Sequence, residues 1–530
     1  MPKRKLRTRS GMSPGKRRSR SDREGFSTGG DPKTRKNQQT SAPSLSNVPS
    51  LFDEFQKRDL AKVIDFLTRF WQAQSDTYGK GRVTPPGVDG PVDEVLREPL
   101  PDEPQAIEEI LEATGRLLEQ HSVHTRHPMF LGYVTPPSLD IAALGDALAA
   151  ILNQNVSFAA LSPIGASLET KVISWLGQIV GYTHSSRGGI LTSGGSNANL
   201  YGLAAARVRL LGANAVRNGN YAKAAKLRIY CSEYTHHSID KAAMMMGLGT
   251  RAVVRVPANE EHQINIRDLA EAIKTDSASK EYCPMAIVGN AGTRLCGAFD
   301  DLQALKIIAD QYRLWFHVDA AYGGFLRLAN KRPPQTEHLP LADSIVLDPH
   351  KLLFVPFDCG ALLIKNRDHL MQCFGSTGEY LELEHPAGTA DFADLGMQLG
   401  RSMKALKVWL TLKYIGIQRF AAEYSRLMAL AHYLKSRLAA DKRFELLGPV
   451  PGTAVCFRWC GCAHVSSSRL DAINSEIRRR LLRDGVSFSD EVEIGGRRGL
   501  RVCFTNFRTE QHHLDDLLVA IARFGEDPSI

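Results

Sequence analysis

The sequence has little that would suggest a membrane or a secreted protein. One of its most apolar segments, residues 141–152, is too short to cross a bilayer and is interrupted by Gly145 and Asp146, so it predicts a buried helix. No apolar stretch follows the basic N-terminus, which argues against a secretory signal. The nine cysteines lack the spacing of a disulfide framework and favour reduced thiols. These absences predict a cytoplasmic protein without a membrane partner.

The sequence also lacks a pattern of metal ligands. Cys460 and Cys462 stand close together, but no further ligands lie near them, and we expect both to be structural. His236 and His237 are adjacent, and neighbours in sequence rarely point at one ion. No third ligand is evident beside them. We therefore predict no bound metal.

Positive charge is concentrated in the first 50 residues. They hold thirteen Lys and Arg against three Asp and Glu, which gives this tail a net charge of +10. The whole chain has a net charge of +9, so the remaining residues together carry −1. With few apolar residues, the tail cannot bury enough surface to offset its ordering entropy, and we expect it to be disordered. Its basic cluster at 16–20 could bind nucleic acid or an acidic surface. The composition favours the alternative, a solvated tail with no specific partner.

Short apolar segments alternate with helical patterns between residues 188 and 365. The predicted strands lie at 190–192, 227–231, 252–256, 285–288, 314–318, 344–347 and 360–364. Repeated strand-then-helix units predict an α/β fold with a mainly parallel sheet covered by helices on both faces. In such sheets, ligands bind beyond the carboxyl ends of the strands.

Helical patterns precede and follow this segment. Before it they cover 51–71, 104–120, 139–152 and 163–181, and long helices follow residue 399. Strands at 455–459 and 500–504 and a helix at 514–524 predict a smaller C-terminal α/β domain. The expected division is a tail at 1–50, a helical segment at 51–135, a large domain at 136–420 and a small domain at 421–530.

Lys351 ends the segment Asp-Pro-His-Lys at 348–351, directly after the buried strand at 344–347. An Asp-Pro pair is typical of a turn that stops a strand. A lysine amine in low-dielectric surroundings is free to attack a carbonyl carbon. The alternative is a solvated loop lysine, which is the better interpretation of a lone lysine, so other groups must decide.

Gly194, Gly195 and Ser196 also follow a strand, in a turn that opens a helix. Glycines let the backbone approach a ligand closely, and the first N–H groups of a helix attract a phosphate. Ser196 could also cap the helix. A plain tight turn explains this segment equally well.

Asp319 stands at the carboxyl end of the strand at 314–318, and the small Ala320 and Ala321 leave room beside it for a flat ligand. A buried carboxylate needs a cationic or hydrogen-bonding partner, and a protonated pyridine nitrogen would serve. The alternative is an Asp that caps a turn. His236 follows another strand, where it can stack on a planar ring or cap a helix.

Together these groups form a phosphate cradle, a ring-facing histidine, a carboxylate for a pyridine nitrogen and a lysine for an aldehyde. That set matches pyridoxal 5′-phosphate, whose protonated ring accepts electrons in carbanion chemistry. The cofactor predicted from the residues is therefore pyridoxal 5′-phosphate.

Two motifs extend this interpretation, His-Val-Asp-Ala-Ala-Tyr at 317–322 and Asp-Pro-His-Lys at 348–351. In both, the chain resembles the group II pyridoxal-phosphate-dependent amino-acid decarboxylases, which include aromatic-amino-acid and glutamate enzymes. The resemblance runs from about residue 51 to the C-terminus. It implies an aspartate-aminotransferase-like fold (fold type I), carboxy-lyase activity and a homodimer with active sites at the subunit interface.

The resemblance also implies roles for single residues. Lys351 corresponds to the lysine that binds the cofactor aldehyde, Asp319 to the partner of the pyridine nitrogen, and His236 to the imidazole stacked on the ring. Tyr380 corresponds to a mobile-loop tyrosine that reaches the neighbouring subunit's site and protonates the substrate carbon. The remaining cofactor-binding positions are Gly194, Gly195 and Ser196 in the phosphate turn, Thr293 near the cofactor, and His350 beside the phosphate and the lysine.

The substrate is less clearly indicated. Residues 132–133 and 157–163 resemble the aromatic-amino-acid branch more than the glutamate branch, whereas Phe158, Val134 and Arg294 depart from its usual residues. An aromatic amino acid is the prediction.

Several alternatives stay open. Arg501 could bind an acidic side chain, as a glutamate, aspartate or cysteine-sulfinate decarboxylase would need, although an Arg stands there across branches. A pyridoxal-phosphate-dependent aldehyde synthase is a further alternative, against which Tyr380 argues because such relatives can carry Phe at that position. Nucleic-acid binding through the basic tail would be an activity of a different class.

Overall fold

The computed structural model describes residues 51–76, 79–86, 95–183, 188–219, 221–375, 391–461 and 465–528. The basic cluster at 16–20, Tyr380 and Cys462 lie outside the described residues. From Lys62 onward, the chain forms one compact unit that contains a large sheet and a small sheet.

The large sheet has seven strands. They are β1 (Gly188–Thr192), β2 (Leu227–Ser232), β3 (Val253–Val256), β4 (Cys283–Asn290), β5 (Trp315–Asp319), β6 (Ser344–Leu347) and β7 (Gly360–Ile364). Their order is β1-β7-β6-β5-β4-β2-β3, and each neighbouring pair from β6 to β3 is parallel. Strand β7 runs antiparallel to both β6 and β1. The predicted α/β fold with a mainly parallel sheet is confirmed.

Alternate side chains of the central strands enter two separate hydrophobic clusters. Ile345 and Leu347 of β6 belong to one cluster, and Val346 between them belongs to the other. Successive side chains of a strand point to opposite faces, so the two clusters lie on the two faces of the sheet. Burial on both faces explains why the central strands are nearly continuous apolar runs.

The sequence pattern predicted the longer α-helices that precede the small sheet but not the short ones at 213–217, 221–224, 349–352 and 368–374. The predicted helices at 139–152 and 163–181 match the observed ones to within one residue. The helices are α1 (Leu51–Asp76), α2 (Ile107–His121), α3 (Asp140–Leu152), α4 (Pro163–Val180), α5 (Gly195–Leu211), α6 (Ala213–Arg217), α7 (Tyr221–Ala224), α8 (Ser238–Met245), α9 (Ile266–Ser279), α10 (Leu302–Gln311), α11 (Pro349–Leu352), α12 (Asp368–Phe374), α13 (Lys404–Ile415) and α14 (Ile417–Ala440).

The small sheet is antiparallel and lies in the C-terminal part of the chain. Its strands are β8 (Phe444–Leu446), β9 (Ala454–Trp459), β10 (Asp490–Ile494) and β11 (Arg497–Cys503), in the order β10-β11-β9-β8, and they are accompanied by α15 (Ser467–Arg483) and α16 (Gln511–Gly525). The sequence pattern predicted β9, β11 and α16. It missed β8, which has only three residues, and β10, three of whose five residues are acidic and of a type depleted in strands.

Three properties of the described ranges bear on the class of protein. No helix within them combines the length and the apolar character needed to span a bilayer. The eight cysteines that fall within these ranges are all free thiols. The same ranges contain no group of three or more His, Cys, Asp or Glu placed to hold a metal ion.

Candidate active site

A cavity of about 400 Å³ lies at the carboxyl ends of three parallel strands. Asn290 ends β4, Asp319 ends β5 and Asp348 follows β6, and all three line the cavity. This is the edge at which parallel α/β sheets bind ligands. Eight of the predicted site residues also line it, namely Gly194, Gly195, Ser196, His236, Thr293, Asp319, His350 and Lys351. Tyr380, the ninth, lies outside the described residues.

Lys351 is held by a buried carboxylate. Its Nζ lies 2.9 Å from Asp348 Oδ2, and its side chain is 24% exposed. The amine is therefore ion-paired and partly exposed, which differs from the apolar surroundings that its position after a buried strand predicted. The structural reason is that the chain turns at once into α11, which brings residues three apart onto the same side.

His350 contacts the same carboxylate. Its Nε2 lies 3.5 Å from Asp348 Oδ2, and its Nδ1 accepts a hydrogen bond of 3.2 Å from the Cys359 N–H. Burial lowers the pKa of His350, although the charge of Asp348 opposes the shift. The ring is thus neutral near pH 7, and its contact with Asp348 is not an ion pair. The second Asp348 oxygen, Oδ1, is buried and has no hydrogen-bond partner among the described residues.

The glycine turn packs directly over this segment. A Cβ on Gly194 would lie 3.4 Å from His350 Cε1, and one on Gly195 would lie 3.0 Å from Asp348 Oδ2. Glycine therefore leaves the cavity open where a phosphate would approach the first N–H groups of α5. Gly194 is the N-cap of α5 and no side chain caps the helix, so the prediction that Ser196 caps it is wrong. Because Ser196 follows the first helical residue, its position lies inside the helix.

Asp319 uses both carboxylate oxygens. Oδ1 accepts a hydrogen bond of 3.1 Å from the Ala321 N–H, and Oδ2 accepts one of 2.9 Å from Asn199 Nδ2. The first bond is the turn cap considered as an alternative role. The residue nevertheless lines the cavity, so one carboxylate both fixes the turn and faces a ligand.

His236 presents a neutral ring to the cavity. Its Nδ1 accepts a hydrogen bond of 3.2 Å from the Ser238 N–H, at the first residue of α8, and lies 2.9 Å from Ser238 Oγ. Burial lowers the pKa of His236 to about 4, while the charge of Asp319 opposes the shift. The structure thus shows the helix-end hydrogen bond and the ring at the cavity wall together.

Thr293 lies in a tight loop after β4. Its Oγ1 accepts a hydrogen bond of 3.0 Å from the Ala298 N–H and lies 3.2 Å from Cys296 Sγ. The preceding Gly292 has a φ of +96°, and a Cβ there would lie 2.5 Å from Tyr322 Cδ1. Only glycine fits this bend, which directs the Thr293 segment toward the cavity.

Arg501 places an incompletely paired guanidinium in the cavity wall. The side chain is buried, and its Nη1 donates to Asp490 Oδ2 at 2.7 Å and to the Tyr133 carbonyl at 3.3 Å. Its Nε and Nη2 have no hydrogen-bond partner among the described residues. Leaving such donors unpaired is costly, and a ligand carboxylate would satisfy them.

The profile of the pyridoxal-dependent decarboxylase conserved domain matches residues 91–460. The chain belongs to this decarboxylase family. It is 30% identical over 438 residues to an aromatic-L-amino-acid decarboxylase of Bacillus atrophaeus, a match that covers 82% of this chain and 89% of the relative. The decarboxylase is thus a pyridoxal-phosphate-dependent carboxy-lyase that acts on an amino acid, and the predicted family and cofactor are confirmed.

Solved structures agree in fold. Mouse CSAD superposes with a TM-score of 0.82 at 27% identity, covering 88% of this decarboxylase and 100% of the mouse chain. Tryptophan decarboxylase of Catharanthus roseus, solved with L-tryptophan, superposes with a TM-score of 0.79 at 25% identity, covering 90% and 99% of the two chains. The fold type I assignment is thereby confirmed.

The cavity residues fit pyridoxal 5′-phosphate. The open glycine turn suits the phosphate, the Lys351 amine suits the aldehyde, and the Asp319 carboxylate suits a protonated pyridine nitrogen. When bound, the cofactor supplies an electron sink for the pair released from the substrate carboxylate. Neutral His236 adds a flat ring at the wall of the same cavity.

Three further cavity residues hold predicted site residues in place, and the sequence analysis gave them no role. Asp348 holds Lys351, Asn199 holds Asp319, and Ser238 holds His236. Asp348 was visible as the first residue of the Asp-Pro-His-Lys motif. Asn199 and Ser238 carried no such signal, because their contacts cross between α5, α8 and β5.

Proposed function

We propose that this decarboxylase converts an aromatic L-amino acid to the corresponding amine and carbon dioxide. The observation that carries the proposal is that Tyr133 and Phe357, exposed to 48% and 58%, both line the cavity. An exposed ring beside polar groups offers a face on which a planar substrate side chain can pack. The identity to the Bacillus atrophaeus aromatic-L-amino-acid decarboxylase supports the same substrate class.

The proposed reaction assigns a separate task to each polar group. Lys351 would hold the cofactor aldehyde through its amine, in competition with the amine of the substrate. Asp319 holds the proton on the pyridine nitrogen, and Arg501 receives the substrate carboxylate through its Nε and Nη2 donors. His236 would offer its neutral ring to the cofactor from the wall of the cavity. Tyr380 returns a proton to the substrate carbon, the role that the family resemblance implies.

An acidic amino acid is the second candidate substrate, and Arg294 favours it. Arg294 lines the cavity, is exposed and forms no ion pair with any described residue. Together with Arg501 it would supply two guanidinium groups, enough for a substrate with two anionic groups. The aromatic proposal instead leaves Arg294 solvated at the mouth of the cavity.

A panel of amino acids distinguishes these candidates. Carbon dioxide release should be at least about tenfold faster with Tyr, Phe or Trp than with Glu, Asp or cysteine sulfinate, because the exposed rings of Tyr133 and Phe357 can pack on an aromatic side chain but offer no partner to a charged one. Arg294→Ala should leave the aromatic activity within about twofold of the unsubstituted chain.

A preference for acidic substrates that disappears with Arg294→Ala would replace the aromatic proposal with the acidic one. Hydrogen peroxide formed in step with carbon dioxide would instead indicate an aldehyde synthase. Its absence would exclude that alternative.

We further propose that the decarboxylase is a homodimer. The helix predicted to be buried at 141–152 is not buried in the single chain: apolar side chains of α3 and of the start of α4 remain exposed, including Leu148, Ile151, Leu152 and Ile164. Contiguous exposed apolar surface marks an interaction site. Sedimentation should therefore give twice the chain mass of 58.4 kDa, and a single 58.4 kDa species at micromolar concentration would refute the proposal.

A further inference from the structure

A continuous chain of hydrogen bonds connects Asp319 with His236 through one amide, that of Asn199. Asn199 Nδ2 lies 2.9 Å from Asp319 Oδ2 and 2.9 Å from Ser238 Oγ. Ser238 Oγ in turn lies 2.9 Å from His236 Nδ1. The two groups proposed to touch the cofactor ring are thus tied to the same side chain.

The donors and acceptors in this chain follow from Asp319. An ionised carboxylate only accepts hydrogen bonds, so Asn199 must direct its NH₂ group to Asp319 and its oxygen to His317 Nε2, 2.8 Å away. The amide oxygen only accepts, so His317 carries a proton on Nε2. Burial lowers the pKa of His317 to about 4, although the Asp319 charge opposes the shift. His317 is therefore neutral, and its Nδ1 must accept.

Ser344 completes this arrangement on the far side of His317. Its Oγ lies 2.7 Å from His317 Nδ1 and 2.8 Å from Trp315 Nε1. The indole N–H only donates, so the Ser344 oxygen accepts from Trp315 and its hydroxyl donates to His317. Every polar hydrogen from Trp315 to Asp319 then has one possible position.

The other branch runs from Asn199 to His236. The second Nδ2 hydrogen is donated to Ser238 Oγ, and the Ser238 hydroxyl is donated to His236 Nδ1. His236 Nδ1 also accepts from the Ser238 N–H, so its single proton lies on Nε2. One orientation of the Asn199 amide thus holds the carboxylate and directs the Ser238 hydroxyl to the His236 nitrogen that also accepts the Ser238 N–H.

Packing prevents this network from rearranging. Asn199, Ser238, His317 and Ser344 are all buried. A Cβ on Gly202 of α5 would lie 2.5 Å from His317 Cε1, so the helix backbone closes against the imidazole. If the Asn199 amide flipped, its oxygen would face the Asp319 carboxylate oxygen, and the two would repel each other. If His317 shifted, its ring would collide with the backbone of α5.

We propose that Asn199 is a positioning residue that couples Asp319 to His236, and that His317 and Ser344 set the direction of its amide. The inference rests on the proposed roles of Asp319 and His236 at the cofactor. Asn199 itself acts through its neighbours: it holds one Asp319 oxygen in place and orients the His236 ring through Ser238. Loss of its amide should therefore weaken the contributions of both groups to cofactor binding.

A double-mutant cycle on cofactor affinity tests this coupling in the full chain. The dissociation constant of pyridoxal 5′-phosphate is measured by equilibrium dialysis for the apo forms of the unsubstituted chain, Asn199→Ala, His236→Ala and the double variant. Asn199→Ala should raise the dissociation constant about tenfold or more. The double variant should bind at least about fivefold tighter than the product of the single effects predicts, because His236 is already misplaced when Asn199 is absent.

Asn474→Ala is the matched control, since Asn474 is equally buried, makes its hydrogen bonds to Trp459 and Leu470, and does not line the cavity. It should lower the thermal midpoint without changing cofactor affinity. If Asn199→Ala does not fold, Asn199→Leu replaces it in the cycle, because this variant nearly keeps the size of the side chain and removes the amide without adding a charge beside Asp319. It should show the same coupling with His236→Ala.

Two outcomes would overturn the inference. The first is a dissociation constant of the double variant that equals the product of the two single effects. The second is a change in dissociation constant with Asn199→Ala that is no larger than the change with Asn474→Ala. Failure of the unsubstituted chain to bind the cofactor would instead refute the proposed roles of Asp319 and His236. Normal cofactor binding without coupling would leave those roles intact and reject only the role of Asn199.

Discussion

Lys351→Ala is expected to reduce carbon dioxide release by about a thousandfold or more and to remove the visible absorption of the bound cofactor. Among the described residues that line the cavity, its side chain supplies the only amine. Asp348 Oδ2, 2.9 Å away, holds this amine at the carboxyl end of β6. Without it, no other amine among the described cavity residues would hold the cofactor covalently. Absorption and activity should therefore be lost together.

Lys404→Ala provides the control for this substitution. Lys404 also pairs with a carboxylate, Asp358 Oδ1 at 2.6 Å, and its side chain is largely buried, but it does not line the cavity. Its removal should leave the absorption spectrum and the rate close to those of the unsubstituted chain. Cofactor absorption that survives Lys351→Ala unchanged would contradict the assignment of Lys351.

The sequence contained most of the fold because local pattern and burial agree in a parallel sheet. Strands buried on both faces, such as β6, are apolar at nearly every position and are easily recognised. Strand β10 is different, since three of its five residues are acidic and its pairing with β11 decides its structure. Nothing in the local sequence of β10 indicates that partner.

The candidate site was predictable for a related reason. Carboxyl ends of parallel strands meet at one edge, so polar residues directly after strands, such as Asp319 and Lys351, could be expected to converge. The surroundings of those residues were less predictable. The ion pair of Lys351 with Asp348 depends on a turn of helix after β6, and the Asn199 contacts depend on how α5 packs against β5. Tertiary packing decides such contacts, so the sequence of a single segment does not indicate them.

Asp319→Asn should lower the rate of decarboxylation by about a hundredfold to ten-thousandfold while Lys351 still binds the cofactor and the visible absorption persists. The physical reason is charge: a carboxylate stabilises a proton on the pyridine nitrogen, whereas a neutral amide does not. The amide also has one oxygen where Asp319 uses two, so either the Ala321 N–H or the Asn199 NH₂ loses its acceptor. The expected signature is thus a large loss of rate with a retained spectrum.

Asp343→Asn separates this effect from the general loss of a carboxylate. Asp343 precedes β6 at the opposite end of the sheet, where its Oδ2 accepts a hydrogen bond of 2.9 Å from the Phe316 N–H of β5. Both aspartates therefore accept a backbone N–H beside the same pair of strands, but only Asp319 lines the cavity. Asp343→Asn should reduce stability without a comparable change in rate. An Asp319→Asn enzyme within about threefold of the unsubstituted rate would show that the carboxylate only fixes the turn, because the lost electrostatic stabilisation would then be negligible.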